Sequence, residues 1–377
     1  MTPEASAHIR GGYRRLVAEY VLPHARSSDC AGRLDPLVVE ALRQHGWLGA
    51  PASPEHGGGG LDMVSYGLLT GEVGRACSSA RTLLTVHNLV ALTVQRWAGP
   101  ALRRTLLPLL AQGKQIAALA LSEPHAGSDI QAINTTLIRD GESFRLNGVK
   151  TWTSFGLLAD WFLVFARSAE GAVALMISAD APGLSRQAIT DVIGTRASML
   201  GELHFDNCMV QADQIVGRPG FGLSHVAATA LDHGRYSVAW GAVGLIDACL
   251  VATLAHLAGR RQFGERMLDL PLARAAISRI FIDSRAARQL CLSAGILREA
   301  RDPEALLETM VAKCFAAAAA VRCANAAVRL HGARGLSEAH DVERLLRDAK
   351  VIEIVEGSEE IHELLIASQI TAGAYIV

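Results

Sequence analysis

The chain has 377 residues, long enough for two or three packed units around a large core. Half of its residues are hydrophobic, only 5% are aromatic, and the formal charge is -1. That balance excludes the basic field that nucleic acid or an anionic membrane requires, because clusters such as Arg103-Arg104 and Arg260-Arg261 are too small to reverse it.

Seven cysteines without CxxC spacing point to buried thiols in a reducing, cytoplasmic compartment. Thirteen histidines include no HExxH, and no His/Cys cluster has zinc-like spacing, so no metal is expected. The first fifteen residues are polar, without the apolar core of a signal peptide.

Residues 1–115 read as a helical unit, with periodic segments at 37–46, 66–75, 80–97 and 101–110. Pro51, Pro54 and Gly57 to Gly60 punctuate it. No Lys-Ser or Lys-Thr follows those glycines and no strand precedes them, so they read as a connection, not a phosphate loop. From Ile116 the period changes. Short strand-like runs at 116–121, 143–146, 161–166, 173–177 and 203–205 are bounded by turn signals, including Asp140-Gly141 and Asn147-Gly148. Such spacing over residues 116–221 suggests an antiparallel sheet or barrel.

Residues 222–377 return to long helices at 223–258, 272–298, 304–330 and 342–355, the pattern of a four-helix bundle. Segment 236–258 is long and apolar enough to span a membrane, but it carries Asp247 and His256 and reads as the central helix of a soluble bundle. The fold class is therefore α+β, mainly α: a helical unit, a β unit, then a bundle. No internal repeat is evident.

At the end of the chain two amphipathic helices meet at Glu356-Gly357-Ser358. Val342, Leu345, Leu346, Ala349 and Ile352 give the first a buried face, while Glu343 with Arg347 and Arg344 with Asp348 pair on its wet side. Gly357 suits the left-handed conformation that stops a helix. Ser358 can cap the next, with Glu359 and Glu360 in its first turn. Glu356, preceded by Ile354-Val355, is a carboxylate beside apolar groups at a helix break. Such a group has a raised pKa and can act as a base near neutral pH. From this stretch alone it reads equally well as an ordinary helix-end residue.

Two further strings stand out. In Leu121-Ser122-Glu123-Pro124-His125-Ala126-Gly127-Ser128, a strand ends at a proline and a turn of small residues presents Gly127 and Ser128, suited to close approach of an anionic ligand. In Asn147-Gly148-x-Lys150-x-Trp152-Thr153-Ser154, a hairpin turn precedes an aromatic and two hydroxyls at a strand end. Each alone reads better as a bare turn than as a ligand site.

Taken in order with Arg260-Arg261-Gln262-Phe263-Gly264, Phe205-Asp206-Asn207-Cys208, His331-Gly332-Ala333-Arg334-Gly335 and the Glu356 break, these strings resemble the acyl-CoA dehydrogenase family over nearly the whole chain. The resemblance implies an N-terminal helical domain, a middle β domain and a C-terminal four-helix bundle, with FAD between them. It implies Glu356 as catalytic base. It implies cofactor contacts from Leu121, Ser122, Gly127, Ser128, Trp152, Thr153, Ser154, Arg329, Gly332, Ser358 and Glu360. Arg260 and Phe263 match residues that contact the FAD of a neighbouring subunit, which implies a homo-dimer or homo-tetramer. Asp232, Arg235 and Gly357 match the substrate side.

The chain departs from the family pattern at Leu270-Pro271, where His-Gln is common, at Arg329 and Ala333, where Gln and Gly are usual, and at His125 in place of Gly. These departures bear on cofactor affinity and the subunit interface.

Local strings resemble a branch that acts on acyl groups tethered to a carrier protein: Cys77-Ser78-Ser79, Val94-Gln95-Arg96 and Ser237-Val238-Ala239-Trp240-Gly241 are similar to enzymes making hydroxymalonyl, methoxymalonyl or aminomalonyl extender units for polyketides. The resemblance implies a three-carbon hydroxylated or amino acyl thioester on a carrier protein. Competing expectations are a catabolic short- or branched-chain acyl-CoA dehydrogenase and a non-catalytic relative that binds without turnover; the presence of Glu356, Trp152 and Arg260 speaks against the last. The electron acceptor is left open.

Overall fold

A computed structural model describes residues 3–374. The first element, α1 (Pro3–Tyr20), is a helix that the periodic segments did not reveal. Val17 is buried, and Ile9, Tyr13 and Leu16 pack against the core, while Arg10 and Arg14 turn to Glu72. It is followed by α2 (Ala25–Ala31), α3 (Pro36–Gln44), α4 (Met63–Ala76) and α5 (Ser78–Trp97). Asp35 and Asp62 cap α3 and α4 by accepting from the N–H groups of Leu37 and Ser65. The expected helix at 101–110 is broken into α6 (Pro100–Thr105) and α7 (Leu107–Ala111). Pro108 explains the break, since it has no N–H to donate and its ring crowds the preceding turn.

The strands are β1 (Ala117–Ala120), β2 (Thr136–Asp140), β3 (Ser143–Thr153), β4 (Trp161–Ser168), β5 (Gly171–Ser178), β6 (Leu184–Ala188), β7 (Gly201–Val210) and β8 (Ile215–Val216). They form one sheet in the order β6-β7-β3-β2-β4-β5-β8, with β1 paired to β4. The expected antiparallel pairing holds for most of the sheet, with two exceptions. β1 and β4 run parallel, Ala117 opposite Trp161 through Ala120 opposite Val164, and β2 also meets β4 in parallel. The crossover from β1 to β4 is built from the β2–β3 hairpin, not a helix, so spacing alone could not reveal it.

Asn147-Gly148 is corrected too. It lies inside β3, and the hairpin turn is at Asp140-Gly141. The register against β7 shifts between Leu146 and Gly148, a bulge. Gly148 has φ 145°, and a Cβ there would run into Thr135.

The bundle consists of α8 (Ala228–Gly259), α9 (Pro271–Ala300), α10 (Ala305–His331), α11 (Asp341–Ile354) and α12 (Glu359–Gln369). A π-helical turn, Gly222–Ala227, leads into α8. By length and hydropathy α8 and α10 could each cross a membrane, but α8 is largely buried within the protein, with Tyr236, Trp240, Leu245 and Ile246 in the core. Pro271 opens α9 at the position where a missing N–H costs nothing. All seven cysteines are free thiols; Cys77, Cys208, Cys249, Cys291 and Cys323 are buried, Cys314 is half-buried and Cys30 is exposed.

Candidate active site

The site grows from the gap between α11 and α12. Val355 is extended, Glu356 has φ 61° and Gly357 φ 105°. The sequence assigned the left-handed turn to Gly357 alone; Glu356 shares it. For an L-residue that conformation costs roughly 1–2 kcal/mol and persists where the surroundings over-determine it. Ser358 stands at the N-cap position of α12 without a side-chain cap bond. Its hydroxyl interacts instead with the Glu360 carboxylate, which it holds below the usual range.

Two cations secure the turn through its backbone. From α8, Arg235 Nε donates to the Glu356 carbonyl at 3.2 Å. From α10, Lys313 Nζ donates to the carbonyls of Glu353, at 3.1 Å, and Gly357. A cation at the end of α11 also suits the negative pole of that helix.

Neither clamp occupies the carboxylate. It lies against Gly234 of α8, where any Cβ would collide with it. Oε2 is enclosed and has no partner, although Glu356 as a whole is half-buried. Burial pushes its pKa up to about 7, with Arg235, Lys313 and Arg81 pulling the other way. Burial lowers Lys313 to about 8, opposed by Glu356, and it also lowers Arg235. An unpaired, enclosed carboxylate whose pKa is raised by burial can accept a proton near neutral pH.

Sequence reasoning passed over Lys313 and Gly234. Lys313 is the one charge in an apolar run from Thr309 to Val321, which was the available signal.

The other expected residues fall into three groups. Ser358, Glu360, Gly357, Asp232 and Arg235 surround or adjoin Glu356. The Asp232 carboxylate accepts from Arg298 Nη1, 2.7 Å from each oxygen, so its charge is already engaged.

A second group forms in the sheet. Thr151 N–H donates to the Ser122 carbonyl at 2.9 Å, which sets the Leu121-Ser122 loop beside Trp152, Thr153 and Ser154. Buried Lys150 fixes the arrangement by donating to the Leu121 carbonyl at 3.0 Å and to Glu123 Oε1 at 2.7 Å. Gly127 and Ser128 are exposed just beyond. Trp152 has φ 57° and is 59% exposed, while Thr153 Oγ1 is enclosed without a partner. An unsatisfied hydroxyl next to a bare indole fits the flavin that the resemblance implies, whose ring offers both hydrogen-bonding atoms and an apolar face.

Arg260, Phe263, Arg329 and Gly332 form the third group at the opposite end of the bundle. His256 and His331 stack there with centroids 4.2 Å apart, joining the ends of α8 and α10. At 1.5 Å per residue, Arg260 lies about 37 Å along α8 from Arg235. Phe263 is 93% exposed with φ 52°. These residues do not meet Glu356 within one chain.

Comparison with known proteins follows the same three-part division. The chain matches the acyl-CoA dehydrogenase N-terminal domain over residues 3–114, the middle domain over 118–208 and the C-terminal domain over 206–371. It is 32% identical over 370 residues to the probable acyl-CoA dehydrogenase FadE25 of Mycobacterium tuberculosis H37Rv, covering 97% of this chain and 95% of that protein. Among solved structures, FkbI, for biosynthesis of the methoxymalonyl extender unit of the Fk520 polyketide, is 33% identical with a TM-score of 0.89, covering 95% and 99% of the two chains. The prolyl acyl carrier protein oxidase AnaB is 25% identical with a TM-score of 0.92, covering 98% and 100%. The chain belongs to the acyl-CoA dehydrogenase family.

Proposed function

We propose that this protein is an FAD-dependent dehydrogenase of a short acyl thioester, with Glu356 as base and a three-carbon hydroxylated or amino acyl group on an acyl carrier protein as substrate, serving polyketide extender-unit biosynthesis. The observation that carries the reading is the enclosed, unpartnered Oε2 of Glu356 at a bend clamped by Arg235 and Lys313. The likeness to FkbI and AnaB supports the carrier-protein branch.

The α C–H of a thioester is a weak acid, so its removal at neutral pH needs a positioned base, worth ~10²–10⁴ in rate. Glu356 meets that need: burial places its pKa at about 7, and Gly234 leaves room for the carboxylate. Bound FAD supplies a hydride acceptor for the β hydrogen. Thr153 and Trp152 would hold its ring side, and Ser122 and Ser128 its phosphate side. With a hydrated aldehyde at the β carbon, loss of the α proton and β hydride yields an enediol that tautomerises to a malonyl-type acid. Arg260, Phe263, Arg329 and Gly332, remote from Glu356 in one chain, suit completion of a neighbour's cofactor site in a homo-dimer or homo-tetramer.

The test is an anaerobic absorbance titration of the FAD-loaded protein with the same hydroxylated three-carbon acyl group on CoA and on a carrier protein. Bleaching with the carrier form alone supports the proposal. Bleaching with ordinary acyl-CoAs instead favours a dehydrogenase of acyl-CoA, the activity for which FadE25 is named.

A further inference from the structure

Arg81 sits in α5 and is only 2% exposed. Taking a guanidinium out of water is costly unless a charge and hydrogen bonds replace the solvent. Other buried arginines of the bundle follow that rule: Arg298 lies 2.7 Å from Asp232, Arg288 2.6 Å from Asp247, and Arg344, which with Asp348 is buried and not on the wet side of α11 as the sequence suggested, 3.7 Å from Asp348. Arg81 does not. Among the described residues it has no carboxylate in ion-pair range, its Nη1 has one long contact to Thr85 Oγ1 at 3.4 Å, and its Nε is enclosed with no acceptor.

Its position gives this unsatisfied charge a use. A Cβ at Gly241 of α8 would come within 2.8 Å of Arg81 Nε. Two turns earlier on α8, Gly234 faces the Glu356 carboxylate in the same way. Residues seven apart share a helix face, so base and guanidinium stand along one side of α8, close enough for each to feel the other's charge. A three-carbon unit with one hydrogen-bond length at each end spans about 8 Å, short enough to lie along α8 between the two. Ser237, whose Oγ is 2.6 Å from Thr85 Oγ1, adds a polar wall beside Arg81.

We propose that Arg81 is a specificity-determining residue that donates to an oxygen on the distal carbon of the acyl group, so that the site selects short oxygenated acyl thioesters over aliphatic ones. This rests on the reading of Glu356 as the base. A methyl group in that place leaves the guanidinium buried and unpaired, and that penalty is the source of discrimination. A hydroxyl, a hydrated aldehyde and a carboxylate all offer the required acceptor.

The test measures binding to the FAD-loaded protein, by flavin absorbance perturbation and calorimetry, of propionyl, 3-hydroxypropionyl and malonyl pantetheine, whose arm is common to CoA and carrier proteins. Wild-type protein should bind at least one oxygenated ester about 10- to 100-fold more tightly than propionyl, the range of a hydrogen bond to a charged group. The tighter of the two tells a neutral distal oxygen from an anionic one. Arg81→Met should keep its FAD and lose the preference, and Arg81→Lys should recover part of it. Equal wild-type binding of all three esters overturns the proposal without any variant, as does an Arg81→Met protein that still discriminates. Flavin reduction by a Glu356→Gln variant would instead remove the base assignment, an outcome distinct from the binding result.

Discussion

Arg235 holds Glu356 by its main chain: the guanidinium Nε donates to the Glu356 carbonyl, and Oε2 of the same residue is left with no partner. The residue is anchored at one end and chemically free at the other. Replacing only the free end should therefore separate chemistry from structure. Glu356→Gln should retain FAD and lose flavin reduction by roughly 10²–10⁴, measured in anaerobic single turnovers. Because burial opposes its ionised form, the variant should also melt higher than wild type at pH 8. Reduction at the wild-type rate would exclude Glu356 as the base.

The pH profile follows from the same burial. A base works when deprotonated, and Glu356 has its pKa raised to about 7. The second-order rate of flavin reduction should thus rise with pH and reach half its limit near pH 7. Lys313 is one of the cations that pull that value down. Lys313→Met should move the midpoint upward, by the sign of the lost attraction, and loosen the bend whose carbonyls it holds. An unchanged midpoint in a folded, FAD-loaded variant would show that Lys313 does not act on Glu356.

Gly234 supplies the space in which the carboxylate stands. A methyl group there has no room unless Glu356 moves, since the atoms it meets are the carboxylate oxygens and carbon. Gly234→Ala should leave FAD content intact and lower the reduction rate about 10²-fold, the scale of a 1 Å misplacement. Full activity in this variant would mean that the carboxylate reacts from another position.

How far the sequence disclosed this arrangement depended on the distance over which each signal is written. The long helices were legible because their apolar positions repeat within one segment, and Glu356 because a carboxylate followed by Gly-Ser is a local sign of a broken helix. Asn147-Gly148 misled for the converse reason: the local hairpin signal is genuine, yet pairing with β7 turns it into a bulge within β3. The Arg235–Glu356 contact joins residues 121 apart, and the use of Lys313 and Gly234 exists only once α8, α10 and α11 are packed. Helix α1 escaped notice because its polar face, which reads as solvent-exposed, carries Arg10 and Arg14 to an acid on another helix.

That acid, Glu72 of α4, yields a prediction about stability rather than turnover. Its side chain is 2% exposed and accepts from Arg10 at 2.6 Å, Arg14 at 2.9 Å and Arg75 at 2.8 Å. Burial pushes its pKa up, but the three guanidiniums outweigh burial and hold it at about 2, against an ordinary 4.5. A depressed carboxylate stabilises the fold fully above its unfolded pKa, and the benefit disappears as pH falls from 4.5 toward 2. The shift corresponds to ~3 kcal/mol at neutral pH. Glu72→Gln should therefore lower the melting temperature of the FAD-loaded protein at pH 7, since it leaves Arg10, Arg14 and Arg75 without their shared counter-charge. It should also flatten the loss of stability that wild type shows as pH drops below 4.5. Equal melting curves for the two proteins across that range would mean that α1 is held by its apolar face, through Val17 and its neighbours, and not by this ion cluster.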